Sequence, residues 1–345
     1  MQTALSRLLG IRIPVISAPM AGAAGGALAA AVTRGGGFGF VAAGASPLPS
    51  LLKELDTGRK ELDLASNDPL PFGIGLMCWR LEAPHGDPSQ ADAFLSAMVA
   101  AKPKAVWMSF GQELQSWVQR YREREAQEGL SKTIMFVKAC TAKQALEAKG
   151  WEGVDVVVAQ GIEAGGHAPT HDVGLPIISL IGTLGPHFPS SSKPLLVAAG
   201  GIATGSQLVA TLALGAQGVV IGTRFLATKE ALYSQAQKDL ILRSSGEDTT
   251  KGMKWDEARA TLGWGEGVDG RGLRNKTSHP DHEAGSEEGK KLYAEAMKEG
   301  DVDRIVTWSG TSVGLVKQVQ SPAEILTELE KEALASLDRL KQVAA

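Results

Sequence analysis

The sequence predicts an α/β protein built as a closed (β/α)8 TIM barrel, with a small subdomain inserted after strand 8 and a C-terminal helix. Three observations carry this expectation. Eight short apolar runs recur along the first two thirds of the 345 residues. Helical patterns separate most of them, and strand alternating with helix implies parallel pairing through right-handed crossovers. A glycine pair ends the seventh run and a glycine with a hydroxyl the eighth, at the end of the barrel where ligands bind.

The runs, in chain order, are VISAPM (15–20), FGFVAAG (38–44), FGIGLMCW (72–79), AVWMSFG (105–111), IMFVKAC (134–140), VDVVVAQG (154–161), PLLVAAGG (194–201) and GVVIGTRF (218–225). Branched apolar residues at consecutive positions, as in the sixth run, suit a strand covered on both faces. Between the first two runs, Ala27, Leu28, Ala31 and Val32 make the small-residue face of a helix that stops at three glycines. Residues 112–128 read as a longer amphipathic helix with a charged outer side. After the seventh run Thr204 can cap a helix whose Leu208, Val209 and Leu212 share one face, and Gly215 ends it. A doubly wound open sheet is the alternative. It usually has fewer strands, and Gly22-Ala23-Ala24-Gly25-Gly26 lacks the spacing of a dinucleotide-binding turn.

Residues 1–242 therefore form the expected barrel. Residues 243–304, Gly-rich and charged with scattered Trp255, Trp264 and Tyr293, read as an inserted subdomain on the substrate side. Residues 305–345 read as a C-terminal segment packing back on the barrel. Its last helix starts at Ser321 as N-cap, with Pro322 in the first turn and Glu324 three residues after the cap.

Composition narrows the partners. The net charge is −3 with no basic stripe, so nucleic acid is not an expected partner. No apolar stretch approaches the ~20 residues of a membrane span. The N-terminal MQTALSRLLGIRIP lacks the apolar core of a signal peptide. A soluble, cytoplasmic protein is the expectation, with no membrane partner. Cys78 and Cys140 sit in or at the end of apolar runs and read as small core residues.

The chemistry should lie at the C-terminal strand ends. The first run delivers Ala18 to Gly22, including Met20; the third delivers Gly75, Leu76 and Met77; the fifth, Lys138; the sixth, Gln160 through His167, including Gly165 and Gly166. The seventh ends in Gly200 and Gly201, and the eighth in Gly222, Thr223 and Arg224. Two glycine turns and a hydroxyl let backbone N–H groups approach a phosphate. Arg224 either adds charge there or anchors a neighbouring loop. Lys138 interrupts an apolar strand and either meets a cofactor at the mouth or snorkels to the rim. His167 suits proton transfer near neutral pH, since an unperturbed imidazole has a pKa of ~6.5. The rival reading is a hydrogen-bonded loop histidine. His171 and Glu163 raise the question of a metal. Pro169 argues against both rings sharing a helical face, and no further ligand cluster is visible, so no metal is expected. His85, His187, His279 and His282 read as surface residues. Glu163 has no assigned task.

The segments 13–44, QGIEAGGH (160–167), 198–228 and, more weakly, GRGLRN (270–275) resemble the flavin-dependent nitronate monooxygenases, also called the 2-nitropropane dioxygenase family. The resemblance runs along nearly the whole chain. It implies a barrel with FMN at its mouth. His167 matches the histidine used as catalytic base or to position substrate. Gln160, Gly165, Gly201, Gly222 and Thr223 match flavin-binding positions, and Met20 and Gly22 the turn lining the flavin. Ala18, Lys138, Gly166 and Gly200 complete the expected cofactor site with Gly75, which stands where family members often carry asparagine. The implied reaction is oxidation of an alkyl nitronate, or a nitroalkane, by dioxygen to a carbonyl compound and nitrite. Two alternatives stay open: an NAD(P)H-dependent FMN quinone or enoyl-thioester reductase, and a non-catalytic flavin- or phosphate-binding barrel. A homodimer is also open.

Overall fold

A computed structural model describes residues 1–344. Its strands are β1 (Val15–Ser17), β2 (Phe40–Ala43), β3 (Leu70–Met77), β4 (Pro103–Ser109), β5 (Ile134–Ala139), β6 (Val156–Gln160), β7 (Gly166–Pro169), β8 (Leu195–Ala199), β9 (Val219–Ile221), β10 (Thr249–Gly252) and β11 (Val268–Leu273). Eight of them form one parallel sheet in the order β1-β9-β8-β6-β5-β4-β3-β2. A parallel bridge between Ile16 and Phe38 joins its two ends, with Phe38 N–H donating to Val15 O and Ser17 N–H to Phe38 O. The eight apolar runs are these eight strands, and the sheet curls into a barrel.

The alternation along each strand explains why the runs look uniformly apolar. One set of side chains, including Phe40, Trp107, Phe136, Val158 and Val197, fills the barrel interior. The other set, including Val41, Ile74, Val106, Val137 and Val157, packs under the surrounding helices. Leu5 and Leu9, on the helix Ala4–Leu9, join the interior set and close the N-terminal end. Thr3 caps that helix through a capping box and donates its hydroxyl to Gln217 O, just before β9.

The expected helices form where their signals lie. Leu114–Gln127 buries Trp117, Val118 and Tyr121. Gly205–Ala213 starts at a capping box between Thr204 and Gln207. Gly26–Arg34 crosses the helix Leu48–Glu61 so closely that a Cβ on Gly26 would lie 1.8 Å from Glu54 O. Pro322–Ala344 starts at Ser321, whose N–H and hydroxyl both donate to the Glu324 carboxylate at 2.8 Å. It packs back on the barrel helices: Glu332 accepts from Gly205 N–H at 2.6 Å, and the Ser206 and Ser336 hydroxyls lie 2.7 Å apart.

Three strands, β7, β10 and β11, have no counterpart among the apolar runs. The chain leaves β6 and, within six residues, enters β7, which carries His167. β7 pairs antiparallel with β11, and β11 with β10. The histidine is therefore on a strand rather than in an open loop. Its Cα partner is Gly270, where a larger residue would meet the Trp308 ring at 2.5 Å. The segment after residue 243 has a small core of its own around Trp255, Tyr293 and Ala296, and Ile305 joins it. Among the described residues no helix is long and apolar enough to cross a membrane.

Candidate active site

The strand ends open into a cavity of about 330 Å3. All the site residues expected from the sequence line it except Gly75. Gly75 lies beneath the β1 turn, where a Cβ would meet Pro19 side-chain atoms at 2.4 and 2.5 Å. Its smallness lets Pro19 pack on β3, and Met77, two residues on, reaches the cavity instead. The cavity size falls in the range of small-molecule sites, ~300–1,000 Å3.

The glycine turns have backbone reasons. Gly200 and Gly201 take φ values of +104° and +69°, which side chains disfavour. Gly165 must be small because the loop 309–310 crosses it: an added Cβ would lie 2.5 Å from Gly310 N. Gly310 N–H in turn donates to the Thr223 hydroxyl at 3.0 Å. Arg224 turns away from the mouth. It is buried, donates to Ala203 O at 2.6 Å and pairs with Glu328 at 2.7 Å, so it anchors the last helix.

His167 is buried, and its Nε2 lies 2.9 Å from Asp256 Oδ2. Asp256 sits on the helix Lys254–Arg259 and is fully buried. Its other oxygen accepts from the Thr261 hydroxyl at 2.7 Å and the Trp264 indole N–H at 3.0 Å. The Trp264 ring stacks on the imidazole, with centroids 3.3 Å apart and planes 10° apart. Trp308 meets the imidazole edge-on at 5.0 Å, and Phe110 at 6.5 Å. Burial pushes the His167 pKa down, and the bond to Asp256 opposes that only in part. Burial would raise the Asp256 carboxyl, but the hydrogen bond and charge attraction of His167, and then the Thr261 hydroxyl, outweigh it and hold the carboxyl below its ordinary pKa. The imidazole is therefore neutral at neutral pH and fixed against a carboxylate. That is the condition of a general base.

Lys138 extends from β5 into the same wall. Its Nζ donates to His167 O at 3.1 Å and lies 3.2 Å from the centre of the Phe110 ring. Phe110 holds φ at +56°, a conformation costing about 1–3 kcal/mol for a non-glycine residue, and strain of this kind concentrates at functional sites. Burial pulls the Lys138 pKa down from 10.5 to about 8. Between these two values the unfolded chain binds a proton that the native chain does not. Stability should therefore rise with pH across that window. In Lys138→Met this contribution is absent. Urea midpoints at pH 7.5 and 9.5 should show the wild type gaining on the variant; parallel changes in both would contradict the assignment.

Glu163 acquires a task. Its carboxylate accepts the Ile177 N–H at 2.9 and 3.0 Å, capping the helix Ile177–Leu184, which Pro176 precedes. His171 is exposed, as are His85, His187 and His279, while His282 is partly buried. Among the described residues no group of three metal-ligating side chains comes together. Cys78 and Cys140 are both buried and free, and burial pushes the Cys78 thiol up. Asp256, Trp264, Trp308 and Phe110 escape sequence reasoning. Asp256 lies 89 residues from His167 and looks like an ordinary surface acid in its WDEAR segment.

A parallel barrel with a buried histidine–carboxylate pair at its C-terminal mouth defines an enzyme of the (β/α)8 class. The family model for nitronate monooxygenase matches residues 2–332. A nitronate monooxygenase of Neurospora crassa is 36% identical, over 96% of this chain and 92% of the relative. Nitroalkane oxidase from Streptomyces ansochromogenes has a similar structure, with a TM-score of 0.74 and 26% identity over 98% of this chain and 100% of that one. FabK from Thermotoga maritima shares the fold, with a TM-score of 0.79 and 24% identity over 99% of both chains. The chain belongs to the nitronate monooxygenase family, a family of oxidoreductases.

Proposed function

We propose that the cavity holds FMN and that the protein uses dioxygen to oxidise alkyl nitronates, and nitroalkanes after deprotonation, to carbonyl compounds and nitrite. The observation that carries this reading is the His167 ring lining the cavity, its Nε2 2.9 Å from Asp256 Oδ2, inside an aromatic wall.

The lining fits such a group. Gln160 Oε1, Trp107 Nε1 and Trp79 Nε1 all belong to lining residues and are buried with no protein partner. Buried polar atoms seldom stay unpaired, so three at one cavity favour a polar ligand. Cβ atoms added at Gly22 and Gly166 would meet nothing within 4 Å, which leaves backbone open to a close approach. Gln160 and Lys138 are the side chains available to the cofactor's polar ring. The turns at Gly200–Gly201 and Gly222–Thr223 are available to its phosphate. Bound FMN would supply the electron transfer between nitronate and dioxygen.

The chain's own residues do the rest. Trp264, Trp308 and Phe110 shield the imidazole from water. His167 takes the α-proton of a neutral nitroalkane; a nitronate arrives already ionised and does not need that step.

The test is anaerobic mixing of the FMN-reconstituted protein with ethylnitronate. Bleaching of the flavin absorbance is expected. Failure to retain FMN would sink the proposal. Indifference to nitronate with rapid bleaching by NADH would favour the reductase reading.

A further inference from the structure

The geometry points to Asp256 as the residue that fixes the tautomer of His167, holding the proton on Nε2 so that Nδ1 is the atom that takes the substrate proton. This rests on the proton-abstraction role proposed above for His167.

The argument is one of donors and acceptors. Asp256 Oδ2 lies 2.9 Å from Nε2. An ionised carboxylate can only accept, so Nε2 must carry hydrogen. The carboxylate is itself locked from behind by Trp264 N–H and the Thr261 hydroxyl. Among the described residues Nδ1 has no hydrogen-bond partner, and the ring lines the cavity. In the step that follows, the substrate C–H bond breaks and an Nδ1–H bond forms. The electron pair passes to the nitro oxygens. The resulting imidazolium stays paired with Asp256. Asp256, Thr261 and Trp264 all come from residues 256–264, in the segment after strand β9. Asp256 is a positioning residue.

Asp256→Asn gives a sharp test, because it keeps the shape and removes the charge. The Trp264 indole N–H can only donate. It should hold the new amide oxygen where Oδ1 was and turn the amide NH2 toward Nε2. Nε2 must then accept, and the proton moves to Nδ1, which is the wrong nitrogen for a base. In Asp256→Asn with Trp264→Phe the ring stack is retained and the pinning donor is gone. The amide can flip, its NH2 can donate to the Thr261 hydroxyl, and Nε2 can donate again.

The readout is 15N NMR of histidine-labelled protein, with His167 assigned by comparison with His167→Gln. It is paired with turnover of nitroethane and of ethylnitronate. In the wild type, Nδ1 should resonate as the unprotonated nitrogen. In Asp256→Asn the assignment should invert, and nitroethane turnover should fall at least tenfold more than ethylnitronate turnover. The double variant should restore the wild-type tautomer and part of the nitroethane rate. A proton on Nδ1 in the wild type would overturn the inference. So would an unchanged tautomer in Asp256→Asn, or equal losses on both substrates, or no reversal in the double variant. The tautomer needs no substrate to be read. If it behaves as described while neither substrate is turned over, the inference about Asp256 stands and the proposed reaction fails.

Discussion

His167→Ala should lower kcat/KM for neutral nitroethane by roughly 10²–10⁴-fold, the usual contribution of a positioned general base. Turnover of pre-ionised ethylnitronate should fall far less. The difference follows from the chemistry: nitroethane must lose a proton from carbon, and the nitronate has already lost it. The imidazole is suited to the task because burial holds its pKa below the ordinary value of 6.5, so it is unprotonated at neutral pH. It is also held in place by Asp256 and by stacking on Trp264. Oxygen-uptake assays on both substrates, with urea midpoints to check folding, would decide the matter. Equal losses on the two substrates would leave His167 a positioning role only.

Phe136→Ala should destabilise the protein by about 3–5 kcal/mol, the range for truncating a fully buried aromatic side chain. Phe136 is completely buried inside the barrel. It stacks on Trp107 with centroids 6.0 Å apart and meets Phe40 edge-on at 5.4 Å. Trp107 is also a wall of the cavity, so Phe136 supports the site from below. Two losses are expected together: a lower urea midpoint and, under the proposed function, weaker retention of FMN. A stability change under about 1 kcal/mol would mean that the interior collapses around the gap, contrary to the close packing of protein cores.

Much of the frame is legible in the chain itself. Eight apolar runs fix eight barrel strands because a parallel strand buried on both faces needs apolar residues at nearly every position. Thr204 with Gln207, and Ser321 with Glu324, mark helix starts because capping is local: donor and acceptor lie within three residues. The glycines after β8 mark turns because their positive φ values belong to their own backbones. His167 could be picked out as a titratable ring at a strand end.

What surrounds His167 could not. Gly75 looks like a site residue by position on its strand, yet Pro19 from the turn after β1 lies over it, and only the packing of that turn on β3 decides this. Arg224 reads equally well as a phosphate ligand or an anchor until Glu328, about a hundred residues away, turns out to be its partner. β7 is four residues long, and it forms only because β11 comes to lie beside it. Asp256 carries no mark in its own segment. Local signals act over a few residues and can be read in order. The orientation and basicity of His167 depend on a carboxylate, two indoles and a strand brought from far along the chain. The barrel and the histidine at its mouth can be read along the chain; what holds that histidine cannot, because its partners meet only when the chain is folded.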